Sequence, residues 1–399
     1  MLLFLVNELT VNTKSNTDTF LLLSLGLSSF GGAHGRFIYG IGLFDILLII
    51  LFVRTFFLRE DSLLIFNKDV FSMLIIYVLV ILYGLYRTIS EVNSTGYQFI
   101  IMELRFFIYY PVFFYITLKH SFNISFFQKI FPYISLCYIV MWTFCLYPGS
   151  EIHNFLYDIN NMQLIGDKFR IFGPNVLIFV PLMLTLINCS KIRSLDVIIY
   201  CVLILIIFIK SGGRTYFIYY LIPIFYLLYQ RRKQKKIVLI SLLSLFCIYY
   251  FLTNYTDEFF LLRLSNVINV TSDSSFMYRV HNMLEMYEQL NTTNILFGNG
   301  IGSSYIVYLA GWRVSFFLDN TFATLIYKIG VIGLIIFMLP FLRARKIIPK
   351  SLYLCLISGL ILIGSTSYHL ITNPVFSYGF FLVFFLYKRQ FLIGSHSKS

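Results

Sequence analysis

Charge is scarce in this sequence. Only 12% of its 399 residues are Asp, Glu, Lys or Arg, against roughly a quarter in soluble proteins, and that shortage excludes an ordinary soluble globular chain. Cysteine is sparse too: Cys137, Cys145, Cys189, Cys201, Cys247 and Cys355 all lie within or at the ends of apolar runs, with no metal-type spacing. They read as small core residues, which excludes a disulfide framework and a cysteine metal site. The opening Met-Leu-Leu-Phe-Leu-Val-Asn lacks a basic region and a small-residue cleavage site, so no cleaved signal peptide is expected. No convincing hydropathy repeat speaks for a secondary transporter.

What the chain has in abundance is apolar length. Hydrophobic residues make up 58%, in repeated runs of ~20 residues, each long enough to cross ~30 Å of hydrocarbon as a helix. The expected fold is all-α, a polytopic integral membrane protein with roughly 12 transmembrane helices and one large extracytoplasmic loop. The spans fall near 20–30, 37–57, 69–87, 98–118, 126–147, 172–188, 194–210, 214–230 and 236–253, then 320–342, 350–368 and 374–388. This divides the chain into N-terminal membrane helices (1–253), a polar loop (254–319), and C-terminal membrane helices with a cytoplasmic tail (320–399). The 44 Phe and 30 Tyr are many even for a membrane protein, and Tyr often sits at headgroup depth.

The formal charge of +13 could point to nucleic acid, but its distribution points to topology instead. With a cytoplasmic N-terminus, every second loop is basic: Arg54, Arg59 and Lys68; Lys119 and Lys129; Lys191 and Arg193; Arg231 to Lys236; Arg343 to Lys350; Lys388 and Arg389. That is the positive-inside pattern, and no nucleic-acid partner follows. Against this bias stand Lys168, Arg170, Lys210, Arg214, Arg263, Arg279 and Arg313 on the outer side. Cations placed there call for an anion, either Asp167, Asp273 and Asp319 as loop ion pairs or a bound ligand.

Three polar segments carry those cations. Arg170 precedes Gly173-Pro174-Asn175, which reads as a helix start where anions are favoured. Lys210-Ser-Gly-Gly-Arg-Thr215 reads as a tight turn whose glycines permit close backbone approach to a ligand. In the large loop, 275–290 reads as a helix with Phe276, Val280, Met283 or Leu284, Met286, Tyr287 and Leu290 on its apolar face and Arg279, Asn282 and Glu285 or Glu288 on polar ones. Gly298-Asn-Gly-Ile-Gly302 follows no βαβ pattern and is no nucleotide fingerprint; it turns the loop back towards the membrane. Asp319-Asn320 then caps the next span or serves catalysis. Within the spans, Asp45, Glu103, Arg105 and Lys328 are too costly to face lipid; Glu103 and Arg105, two residues apart, need partners on other helices. His369 beside Asn373-Pro374 reads as structural. No Asp-x-Asp motif or His/Cys cluster lies on the outer side, so neither a metal nor another cofactor is expected.

The order Arg170-Ile-Phe-Gly-Pro-Asn175, Ser211-Gly-Gly-Arg-Thr215, Arg279, Leu296-Phe-Gly-Asn-Gly-Ile-Gly302 and Asp319-Asn-Thr-Phe-Ala-Thr-Leu-Ile-Tyr-Lys-Ile-Gly-Val-Ile-Gly333 resembles the bacterial O-antigen polymerase (Wzy) and O-antigen ligase superfamily of membrane glycosyltransferases. The resemblance implies a multi-pass protein of the bacterial cytoplasmic (inner) membrane. Its substrate would be an oligosaccharide linked to undecaprenyl pyrophosphate, joined into O-antigen or capsular polysaccharide on the outer side, without nucleotide sugar or metal. It implies membrane lipid and a chain-length regulator protein as further partners. The family's pyrophosphate-contacting arginines map onto Arg170, Arg214 and Arg279, with Asn175 in the first motif, and the general base stays open among Asp319, Glu285 and His281. Ligases share a His-Asn-type pair where this chain has Asp319-Asn320, which favours polymerase over transfer to lipid A-core. A lipid-linked oligosaccharide flippase or transporter would not need so large a one-sided loop of arginines and carboxylates.

Overall fold

The computed structural model describes residues 2–27, 43–57, 68–90, 97–144, 162–165, 168–171, 177–189, 192–211, 214–235, 238–239, 241–243, 245–246, 250, 274–308, 312–315, 320–366 and 375–396. Apolar runs become helices because a continuous helix satisfies every backbone group internally. In order they are α1 (Leu2–Leu27), α2 (Leu43–Phe57), α3 (Lys68–Ser90), α4 (Tyr97–Lys119), α5 (Ile124–Phe144), α6 (Phe179–Asn188), α7 (Ser194–Ser211) and α8 (Arg214–Gln230). Then come α9 (Ser274–Glu288), α10 (Thr292–Phe297), α11 (Thr321–Arg343), α12 (Lys350–Thr366) and α13 (Val375–His396). The strands among the described residues form two antiparallel hairpins, β1 (Met162–Ile165) with β2 (Lys168–Ile171) and β3 (Tyr305–Tyr308) with β4 (Trp312–Ser315). Two helices, over Phe71–Ile89 and Thr321–Lys346, are long and apolar enough to cross a membrane, and shorter apolar helices cover most of the other expected spans.

Polar contacts show which helix ends lie together. At one end of the bundle Arg343 Nη1 donates to Ser72 Oγ (2.8 Å), Gln230 Nε2 to Ser351 Oγ (3.2 Å) and Tyr226 Oη to Asn188 Oδ1 (3.0 Å). Arg193 Nη2 donates to the Gln128 carbonyl (3.0 Å) at the same end. At the other end Tyr138 Oη reaches the Leu27 carbonyl (3.2 Å), and α3 and α4 meet the chain around Gly298–Gly302. Successive bundle helices therefore alternate in direction.

The first end holds a buried corner where α1, α2 and the α4–α5 turn converge. His120 Nε2 lies 2.9 Å from Thr55 Oγ1, and its Nδ1 approaches Asp18 Oδ1 obliquely at 3.0 Å. Asp18 Oδ2 also accepts from the Ser121 backbone (3.0 Å), while Asn123 N donates to Thr19 Oγ1 (2.6 Å). Burial raises the Asp18 carboxyl, and the contacts with His120 and Ser121 more than reverse it, holding the group below its usual carboxylate value.

Much of the aromatic content fills the core rather than the headgroup level. Tyr77, Tyr110, Tyr200, Tyr219, Tyr220 and Tyr378 are fully buried, and edge-to-face contacts such as Tyr110–Phe337 (ring centroids 4.7 Å) and Phe114–Phe385 (4.9 Å) tie α4 to α11 and α13. Such pairs add about 0.5–1.5 kcal/mol beyond their buried area, and between helices in lipid, packing of this kind replaces the missing hydrophobic drive. Some of the buried tyrosine hydroxyls find backbone acceptors, among them Tyr200 Oη on the Tyr220 carbonyl (3.0 Å) and Tyr378 Oη on the Leu22 carbonyl (2.8 Å).

Candidate functional site

The glycine-rich run does more than turn the chain: it is inserted into the bundle. α11 is interrupted at Gly330, whose φ of 70° and ψ of 176° are not helical. The break leaves the carbonyls of Tyr327 and Lys328 without their usual partners four residues on, and the run supplies replacements. Asn299 N donates to the Tyr327 carbonyl and Gly300 N to the Lys328 carbonyl, both at 2.8 Å. Irregular backbone inside a helical bundle is tolerated only when its polar groups are satisfied in this way. Gly298 has a φ of 77°, and a Cβ there would collide with the backbone of Lys328 and Gly330.

Side chains from α3 and α4 clamp the same run. Tyr83 Oη donates to the Phe297 carbonyl (2.6 Å), Thr88 Oγ1 to the Ile301 carbonyl (2.6 Å), and Arg87 through Nε (3.1 Å) and Nη2 (2.9 Å) to the Gly298 carbonyl. Glu103 Oε2 accepts from Gly302 N (2.6 Å), while Glu103 Oε1 meets Lys328 Nζ at 2.7 Å, and Lys328 also donates to the Ser303 carbonyl. Both side chains of this ion pair are sealed, at 0% and 1% exposure. The four ionisable groups expected inside the spans resolve into two pairs, the other being Arg105 Nη1 with Asp45 Oδ2 at 3.5 Å. Tyr109 Oη also donates to Asp45.

Above the run lies α9. It packs through Met283, Met286, Tyr287 and Leu290 against Tyr305, Ala323 and Tyr327. Gln289 fastens it to β3 in both directions, donating to the Ile306 carbonyl (2.7 Å) and accepting from Ile306 N (3.0 Å). Burial raises the Tyr287 phenol. Asn282, expected on a polar face, is buried, whereas Leu284 is exposed: the packed stripe follows the contact with β3 and α11 rather than the best apolar count. The Asn282 Oδ1 and Tyr278 Oη atoms, one turn apart, are buried without a hydrogen-bond partner in the described structure.

The sequence-derived site residues fall into two groups at this end of the bundle. Arg279, His281 and Glu285 share α9, where His281 Nε2 lies 3.1 Å from Glu285 Oε1, the histidine exposed and the carboxylate mostly buried; Arg279 is half-buried. In the second group, Arg214 is the first residue of α8, three residues beyond the end of α7, with no acidic residue in its first turn. Arg170 lies in strand β2, opposite Gln163, and β2 packs on α7. The dipeptide Gly166-Asp167 between β1 and β2 suits a two-residue hairpin. α6 begins at Phe179; Asn175, with Gly173-Pro174, lies outside the described residues, as do Asp167, Arg263, Asp273, Asp319, His369, Cys145 and Cys247. The cap of α11 is Asn320, whose Oδ1 accepts from Ala323 N (3.0 Å). Arg313 belongs to β4, opposite Val307.

Sequence reasoning missed Tyr83, Arg87 and Thr88. Arg87 carried a usable signal, since it closes a span on the side the charge bias leaves poor in cations. No family model matches the chain, and no curated protein or solved structure matches it either.

Proposed function

We propose that the chain is a membrane glycosyltransferase of the O-antigen polymerase type, with roughly 12 transmembrane helices, a cytoplasmic N-terminus and residues 254–319 outside. The alternation of helix direction agrees with the basic loops: Arg193, Arg231, Arg343 and Lys350 all fall at the bundle end marked by Ser72, His120 and Asn188. The observation that carries the chemical reading is the position of Arg214. A cation is disfavoured at a helix N-terminus, so an arginine opening α8 with no carboxylate in the first turn calls for an external anion. The anion available to this reaction is the carrier pyrophosphate.

In the reaction an acceptor hydroxyl attacks the anomeric carbon of the carrier-linked glycan. The bond from that carbon to the pyrophosphate oxygen breaks, and the polyprenyl pyrophosphate departs with the negative charge. Arg214, with Arg170 and Arg279, stabilises that charge as it develops; guanidinium binds two phosphate oxygens at once. The hydroxyl proton goes to a base on the outer segment. The α9 geometry favours His281: Glu285 Oε1, 3.1 Å from Nε2, accepts from the Nε2–H and orients the ring, leaving Nδ1 to accept the hydroxyl proton. Asp319 is the alternative.

Purified protein in lipid discs, given polyprenyl-pyrophosphate-linked repeat units, is expected to yield polymer and free carrier pyrophosphate, with chelators leaving the rate unchanged. Arg214→Ala costs on the order of 3 kcal/mol, about a hundredfold in rate, and Arg214→Lys recovers little of it because the bidentate contact is gone. Normal polymer from Arg214→Ala defeats the proposal. Carrier flipping without polymer would assign a flippase instead.

A further inference from the structure

The buried Glu103–Lys328 pair is sealed from solvent, and it is bonded to the backbone at Gly302-Ser303. Two residues further on begins β3, and β3 is the element on which α9 rests through Met286 and Gln289. A continuous path of direct contacts therefore runs from the ion pair through Ser303 and Ile306 to the helix that carries Arg279, His281 and Glu285. We infer that Glu103 and Lys328 are positioning residues: they latch the outer segment to the bundle at Gly302-Ser303 and so set the place of α9 over the membrane. This rests on the glycosyltransferase reading for its consequence in rate, and not for the latch itself.

The chemistry makes the two ends of the pair non-interchangeable. Glu103 is needed as an acceptor for an N–H, and Lys328 as a donor to a carbonyl. An exchanged pair, Glu103→Lys with Lys328→Glu, keeps opposite charges in contact but can make neither backbone bond, because an ammonium accepts nothing and a carboxylate donates nothing. If the pair served only to neutralise two charges inside the bundle, the exchange would be silent.

Hydrogen exchange of the purified protein reads the latch without reference to activity. In the native chain the amides of 298–306 are expected to be protected. In the exchanged double variant that protection falls by at least about tenfold, the loss of one hydrogen-bonded closed state, while peptides from α3, α12 and α13 stay as they are. Glycan transfer drops on the order of a hundredfold, the scale of a small misplacement of reacting groups. The drop is larger in kcat than in KM, because Arg170 and Arg214 still bind carrier while Arg279 and the base move with α9.

Should the double variant not insert, Lys328→Arg, which keeps both charge and donor, is expected to retain protection and most activity, and Lys328→Met to lose both. Native protection of 298–306 in the exchanged variant, or in Lys328→Met, overturns the latch. Lost protection with full transfer overturns the positioning role. A wild-type protein that transfers no glycan sinks the functional reading alone, since the exchange pattern still decides the latch.

Discussion

Gly298 and Gly330 meet backbone to backbone, each with a positive φ and each lacking room for a Cβ. Alanine at either position must adopt a strained conformation costing about 1–3 kcal/mol and also push apart two segments joined by hydrogen bonds. Gly330→Ala and Gly298→Ala are therefore expected to lower the melting temperature of the purified protein strongly. A Gly330→Ala protein that melts with wild type would show that α11 can run straight. Asp18 makes a second prediction. Its carboxyl is depressed by the bonds of the folded state, so the stabilisation is complete above the unfolded pKa and is lost as the pH falls through the lower, folded one. Asp18→Asn should be less stable than wild type from neutral pH down to about 4, the ordinary range of the group, and the gap should close only below it. A gap that closes near neutral pH would contradict this assignment.

At the scale of elements, α11 is governed by its two ends and its break. Asn320 accepts from Ala323 N and so satisfies a donor that the helix leaves open. Asn320→Ala is expected to cost ~1 kcal/mol in denaturant or thermal unfolding, and Asn320→Asp almost nothing; equal losses from both would deny the cap. The sequence reading of Asp319-Asn320 as a cap was right in its place but rested on the aspartate, whereas Asn320 makes the bond; both side chains are good caps and only backbone geometry decides. The helix α9 was legible from its 3.6-residue period, within one or two residues of its ends. Its buried stripe was less so, since Asn282 is buried by what packs on it and not by its own polarity.

For the whole molecule, the reading is a bundle with a basic face inside and a clamped polar segment outside. In a background without native cysteines, Glu288→Cys should react in intact cells with a membrane-impermeant maleimide, and Lys235→Cys, past the end of α8, only after the membrane is opened. The reverse pattern would invert the topology. The same labelling separates a multi-pass arrangement from one in which only Phe71–Ile89 and Thr321–Lys346 cross.

The sequence by itself determined the helical class and the place of most of the apolar helices, because both depend on local composition: an apolar run must hide its own backbone bonds, and a charge against the bias is visible one residue at a time. It also announced that Glu103, Arg105, Asp45 and Lys328 needed partners. Which carboxylate takes which cation, that the glycine run enters the bundle, and that a break in α11 receives it were decided by tertiary structure. These are pairings between residues up to 225 positions apart, and a backbone donor shows in the sequence neither its acceptor nor the helix that will be interrupted to provide one.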